Sequence, residues 1–137
     1  MQAKFEIKGL KKLNKELKKL PEDFRKKALN TSVRTAAKIG AERARELVPV
    51  ESGFLKSGII VSKQKEFSKW FSQYNVKIVK KKSRYAPIIE YGSVKQPAQP
   101  FMRVAYEQRK EAMVVTFGNK LRQQIDFFNR KINRMQK

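Results

Sequence analysis

The sequence predicts an α+β fold: a small antiparallel sheet with two N-terminal helices packed on it and a long C-terminal helix. Three patterns predict it. Leu10, Leu13, Leu17 and Leu20 recur at spacings of 3, 4 and 3 with lysines between them. Tyr74, Val76 and Ile78 alternate with Asn75 and Lys77. Leu121, Ile125, Phe128, Ile132 and Met135 recur at 4, 3, 4 and 3. The first and third are helical periods and the second is a half-buried strand. Helices segregated to one face of an antiparallel sheet are one of the stable two-layer solutions.

Taken in order, Phe5-Glu6-Ile7-Lys8 alternates apolar and charged and reads as a short strand ended by Gly9. The first helix follows over 10–20. Pro21 with Glu22 and Asp23 behind it marks a helix start, because proline suits the first helical position and acids complement the helix dipole. That second helix is expected to run to about Leu47. It carries a stripe of Val33, Ala37, Gly40, Ala44 and Leu47, small enough for close packing. Pro49 stops it, since the residue before a proline is pushed out of the α region. A strand is expected from Phe54 to Lys63 and a second from Gln73 to Lys80. The polar connection over 63–72 still contains Phe67, Trp70 and Phe71, either a lid over the core or a contact for a partner. Tyr85 to Tyr91 is a helical turn or a strand, closed by Gly92. Residues 93–100 form a loop. From Phe101 the pattern is helical to the end, with Gly118-Asn119 a place where it could kink or split.

The 137 residues fit one domain, 1–137, with enough chain for a real core. Hydrophobic residues make up 40%, too many for a disordered tail. No run approaches the roughly 20 apolar residues of a membrane span, and 1–10 lacks the apolar core of a secretory signal.

The chemistry these residues allow is narrow. There is no Cys and no His. Disulfides, most zinc sites and every histidine-based triad are thereby removed. The two aspartates, Asp23 and Asp126, fall inside predicted helices. No glutamate pair has spacing for acid–base work, and no Gly-Lys-Ser/Thr cradle surrounds Gly53 or Gly58. Ser52 has no histidine to activate it. No catalytic residue, cofactor or metal is expected. Glu90, isolated in a basic stretch, is expected to pair with a nearby Arg or Lys or to cap a backbone turn.

Charge is the dominant compositional signal. Lys plus Arg number 33 against 12 acids, a formal net charge of +21. Residues 1–50 carry +8, 51–100 carry +7 and 101–137 carry +6, so the body itself is basic. Such a field favours nucleic acid, acidic protein surfaces or anionic lipid. The densest run, Lys80, Lys81, Lys82 and Arg84, is a candidate contact for DNA or an acidic partner, as is the Lys-rich first helix. No helix-turn-helix, zinc-finger or RNP signature accompanies it, so any such attraction is to phosphate and not to sequence.

Three ordered segments carry a family resemblance. Val48-Pro49-Val50-Glu51-Ser52-Gly53-Phe54-Leu55-Lys56-Ser57 resembles a Pro-Val-x-Thr-Gly-x-Leu-x-x-Ser turn after a long Ala-rich helix. Tyr85-Ala86-Pro87-Ile88-Ile89-Glu90-Tyr91-Gly92-Ser93 resembles Tyr-Ala-x-x-x-Glu-x-Gly-Thr. Pro97-Ala98-Gln99-Pro100-Phe101-Met102-Arg103-Val104-Ala105 resembles Pro-Ala-x-Pro-Phe-Met-x-Pro-Ala at the start of a C-terminal helix. Ile7-Lys8-Gly9-Leu10 is similar to the family's Gly-Leu start. Ser52 and Ser93 stand where Thr is usual, and Val104 where Pro is usual.

These segments are similar to the neck or tail-completion proteins of long-tailed phages and prophages, also described as minor tail or head–tail joining components. The resemblance implies a non-catalytic virion protein, assembled in the bacterial host cytoplasm, that forms a ring of six or twelve copies. The ring would complete the tail and join it to the head connector. Its implied partners are copies of itself, head-connector proteins, and tail-tube or tail-terminator proteins, with packaged DNA as a further contact and no membrane. Pro49, Ser52, Gly53, Tyr85, Glu90, Gly92, Pro100 and Phe101 are the expected turn or interface residues. Gly53 and Gly92 are expected to permit positive φ, and Tyr85, Pro100 and Phe101 to anchor either the core or a subunit seam. Two other readings compete. A nonspecific basic nucleic-acid-binding module would bind DNA with steep salt dependence and form no ring. A small basic nuclease or toxin is disfavoured by the missing His and scarce Asp.

Overall fold

The computed structural model describes residues 10–49, 53–64, 72–79, 81 and 84–136. The expected strand at 5–8, the aromatics Phe67, Trp70 and Phe71, and the site residues Ser52, Lys80 and Lys82 lie outside the described residues.

Helix α1 spans Leu10–Lys19. Its leucine stripe is buried: Leu13, Leu17 and Leu20 are all under one-tenth exposed. Pro21 forces the break, and α2 then runs from Glu22 to Leu47. Pro21 takes the N-cap position, one place earlier than the sequence suggests, with Glu22 and Asp23 in the first turn. The helix ends at Val48, whose extended backbone precedes Pro49. The buried side of α2 is almost entirely small: Ala28, Ser32, Ala36, Ala37, Gly40, Ala41 and Ala44. Ser32 satisfies its buried hydroxyl by donating to the Ala28 carbonyl at 2.7 Å.

The strand expected from Phe54 starts later. Gly53–Lys56 forms a helical turn, α3. It closes with the Gly58 N–H donating to the Leu55 carbonyl at 2.9 Å. Residues 54–57 lack the alternation a strand needs, and Leu55 is buried. Strand β1 is Ile59–Lys63 and β2 is Tyr74–Ile78. They pair antiparallel with Ile59 opposite Ile78 and Val61 opposite Val76. A two-stranded ribbon is marginal alone and needs a covering element. Helix α2 supplies the cover, and Arg45 Nη2 donates to the Ile59 carbonyl at 2.7 Å, tying helix to strand.

Helix α4 spans Ala86–Tyr91 and α5 spans Met102–Met135. At 1.5 Å per residue, α5 is about 50 Å long. Gly118 and Asn119 do not split it. Gly118 is buried and its neighbours Phe117 and Leu121 pack into the core, which holds the helical path through the glycine.

Two hydrophobic clusters lie along α2 and α5. One joins the C-terminal half of α2 (Ala41, Ala44) to Leu55, Ile59, Ala86, Phe101 and Ala105. The other joins Leu13, Leu17 and Leu20 of α1 and Ala28 to Leu121, Ile125 and Phe128. Phe24 stacks on Phe128 with ring centroids 4.8 Å apart. Met135, the last member of the predicted seam, falls outside the packing and is exposed.

Candidate assembly site

The segment from Tyr85 to Arg103 is short of regular structure, yet it is tightly bonded. Ala86-Pro87 starts α4, with Pro in the first turn, where its missing N–H costs nothing. Gly92 ends it at φ 78 and ψ 177, a region essentially restricted to glycine. A Cβ there would lie 2.7 Å from the Ala98 backbone nitrogen, so the chain after α4 folds back directly over Gly92. The return is held by paired Ser93 and Gln96 backbone bonds at 2.8 and 3.2 Å. The Gln99 N–H then donates to the Ile89 carbonyl at 2.7 Å.

That return delivers the start of α5 to Glu90. Glu90 Oε2 accepts from the Phe101 and Met102 N–H groups at 2.9 and 3.0 Å. Oε1 accepts from the Arg103 N–H and from its Nε, both at 3.0 Å. Arg103 Nη2 also donates to the Glu90 carbonyl at 2.6 Å. A carboxylate at a helix N-terminus meets donors with no partner inside the helix, and the dipole favours its charge. Burial works against the charged form of Glu90, but the three backbone donors and the Arg103 guanidinium outweigh it. The carboxyl is therefore held below its ordinary value of 4.5. Glu90 is thus both the partner of an arginine and a cap supplied from a different helix.

The expected anchors divide. Phe101 is fully buried and belongs to the core. Pro100 is half-buried. Tyr85 is 60% exposed and does not anchor the core. Pro49 is half-buried after α2. Gly53, where positive φ is expected, is instead the first residue of α3; among the described residues the positive-φ glycine is Gly92. Of the basic run, Lys81 and Arg84 are exposed, and the Arg84 guanidinium lies 5.9 Å from the centre of the Tyr85 ring.

One side of α4 faces inward through Ala86, Ile89 and Glu90. The other presents Tyr85, Ile88 and Tyr91, and Val94 follows in the turn; all four are exposed. Arg103 lies 4.8 Å from the centre of the Tyr91 ring, a stacking that stiffens the outer surface. Exposed Tyr and Ile with a neighbouring Arg make up the composition of a protein–protein contact. Sequence reading missed Ile88, Tyr91, Val94 and Arg103. Spacing carried the signal, since Tyr85, Ile88 and Tyr91 repeat every three residues out of phase with Ile89.

A separate apolar groove of about 190 Å³ opens between α2, β2 and α5, lined by Gly40, Ala44, Val76, Met102, Ala105, Tyr106 and Met113. Its lining offers no charged side chain for chemistry. No cluster of His, Cys, Asp or Glu fit to hold a metal occurs among the described residues. No helix among them is long and apolar enough to cross a membrane.

Residues 11–92, more than half of the chain, match the HK97-gp10-like family, described as "Bacteriophage HK97-gp10, putative tail-component". The chain belongs to the HK97-gp10-like family. It is a phage tail component, a virion protein whose role is structural and exercised in contact with other virion proteins. The HK97-gp10-like match begins in α1 and ends at Gly92, so it includes Glu90 and the exposed face of α4. No curated protein and no solved structure matches the chain.

Proposed function

We propose that this HK97-gp10-like protein is a neck component that completes the tail. Copies of it form a ring, six by preference over twelve, between the head connector and the tail tube or tail terminator. It catalyses no reaction. The observation that carries the reading is the outer face of α4, Tyr85, Ile88, Tyr91 and Val94, held on a rigid base by Glu90 and Arg103. A tail component works by being held, and this is the surface built for holding.

Its occupant is a protein of the adjoining ring, with an apolar patch and an acidic rim. Arg84 and Arg103 lie beside the Tyr85 and Tyr91 rings of the α4 face, and exposed Lys95 follows Val94 in the chain. A second copy, itself at +21, brings like charge to that rim, while an acidic neighbour offsets it. Cryo-electron microscopy of the purified virion tests both statements. The expected result is density for this chain in a closed ring at the head–tail junction, with α4 against a different protein. Density at the tail tip or along the tube would overturn the neck placement.

A further inference from the structure

We propose that α1 is a binding surface for the phosphate backbone of double-stranded DNA, through Lys11, Lys15, Lys18 and Lys19. This goes beyond the ring's place in the neck, and failure of that placement leaves it standing.

The geometry comes first. Leu13, Leu17 and Leu20 are buried against α2 and α5. At 100° per residue, that fixes the opposite arc of α1 as solvent-facing, and Lys11, Lys15, Lys18 and Lys19 all fall on it. All four are exposed. No ion pair within α1 or with any other described residue engages them, although Glu22–Lys26, Arg43–Glu46 and Lys110–Glu107 pairs form elsewhere. Lys12 differs: it borders a shallow pocket with Glu16, Arg122 and Asp126, where the charges alternate. Among the described residues, the four remaining lysines pair with no acid.

Helix physics does not account for this pattern. Lys18 and Lys19 lie in the last turn, where cations complement the dipole. Lys11 lies in the first turn, where a cation opposes the dipole, and no acid accompanies it there. Like charges at i,i+4, as in Lys11–Lys15 and Lys15–Lys19, repel along the helix. The arrangement therefore lowers the helix's own stability and is relieved by an external polyanion.

Composition selects which polyanion. Protein-contact cores are depleted in lysine and enriched in aromatics, methionine and arginine. The α4 face has that character, whereas the exposed arc of α1 has lysine and Asn14. A helix that lies in a bilayer inserts its apolar face, and the apolar face of α1 is buried in the core. Lysines on flexible stems with no fixed partner suit a charge-dense backbone met in any register.

The test measures binding of the full chain to a fluorescent 20-bp duplex of arbitrary sequence across a salt series. The comparison is with Lys11→Gln/Lys15→Gln/Lys18→Gln/Lys19→Gln. Glutamine keeps helix propensity, and circular dichroism checks that the fold survives. A second variant, Lys11→Gln/Lys15→Gln, supplies the answer if the first melts. The wild type is expected to bind with a steep inverse dependence on salt, and the fourfold variant to lose about tenfold or more in affinity. Its log–log salt slope should flatten by about 3.5. Lys38→Gln/Arg109→Gln, at exposed positions of α2 and α5 outside α1 and α4, should bind DNA like wild type. Unchanged DNA binding by both α1 variants overturns the proposal, as does an equal loss caused by the Lys38 and Arg109 changes. So does displacement of the duplex by polyglutamate at equal charge, which would assign α1 to an acidic protein. Preferential binding to vesicles containing 30% phosphatidylserine would likewise overturn it in favour of a membrane.

Discussion

Glu90 and Arg103 are joined at two points: the guanidinium Nε donates to the Glu90 carboxylate at 3.0 Å, and Nη2 donates to the Glu90 main-chain carbonyl at 2.6 Å. The same carboxylate closes the first turn of α5 through the Phe101, Met102 and Arg103 N–H groups. One side chain thereby fixes the angle between a six-residue helix that presents the contact face and a 34-residue helix that spans both core clusters.

Glu90→Ala is expected to destabilise the chain by about 2–3 kcal/mol, because buried N–H donors lose their acceptor. Most of that loss belongs to the backbone donors. The Arg103 side chain is half exposed, so water takes over much of its share. Arg103→Ala should therefore cost no more than about 1 kcal/mol. Urea unfolding of both variants checks the ranking, and equal losses would contradict it.

The Glu90 carboxyl also gives a pH dependence with a definite sign. Its folded value lies below the ordinary 4.5. The stabilisation is therefore fully present above the unfolded value and is lost as pH falls through the folded one. The stability gap between wild type and Glu90→Gln should be flat from neutral pH down to the ordinary carboxyl range. Below it, the gap should narrow. Denaturation midpoints measured between pH 7 and pH 3 check this, and a gap that widens on acidification would refute it.

Gly92→Ala should be among the most damaging single-methyl additions, about 2–3 kcal/mol. Alanine is strained at φ 78, and its Cβ would meet backbone, at 2.7 Å from the Ala98 nitrogen. Gly40→Ala makes the opposite case. There the added carbon meets the Met113 sulfur and terminal methyl at 3.2 and 3.3 Å, the far end of a flexible side chain. Helix propensity favours alanine over glycine by about 1 kcal/mol. Gly40→Ala should thus be neutral to mildly stabilising by thermal melting, and a lowered melting temperature would show that Met113 cannot yield.

How much of this was legible in the sequence follows from what periodicity can carry. The leucines of α1 and the Leu121–Ile132 seam lie where their spacing says, because helix burial is a one-dimensional pattern. Glu90, Gly92 and Phe101 stand out as single residues in short motifs, but that Glu90 reaches the N-terminus of α5 depends on a backbone reversal over 92–100 that no period encodes. The start of β1 is misplaced because Phe54 and Leu55 are as apolar as a strand demands, while the turn bond from Gly58 to Leu55 makes them helical. The face of α4 was hidden for a simpler reason. Six residues are too few for an amphipathic pattern to rise above its own flanks, so Ile88 and Ile89 read alike although one is exposed and the other packed inward.

The final prediction separates contact from fold on that face. Ile88 is 40% exposed and Tyr91 69% exposed, and neither belongs to a core cluster. Replacing them, as Ile88→Asp/Tyr91→Ala, removes no packing of the two core clusters, so stability should change by no more than about 1 kcal/mol at each site. The Tyr91 change also frees the Arg103 guanidinium from its ring, but Arg103 keeps both bonds to Glu90. If the α4 face holds the adjoining ring, the doubly substituted protein should accumulate to normal levels in infected cells. Filled heads and finished tails should then fail to join into infectious particles. The aspartate adds a like charge opposite an acidic rim, which makes the effect larger than truncation alone, and Ile88→Lys/Tyr91→Ala should be the milder of the two. Plaque yield, with electron microscopy of the lysates, gives the readout. Normal yield from the Asp variant would show that α4 is not the contact, while a melted protein would show that the face is part of the fold after all.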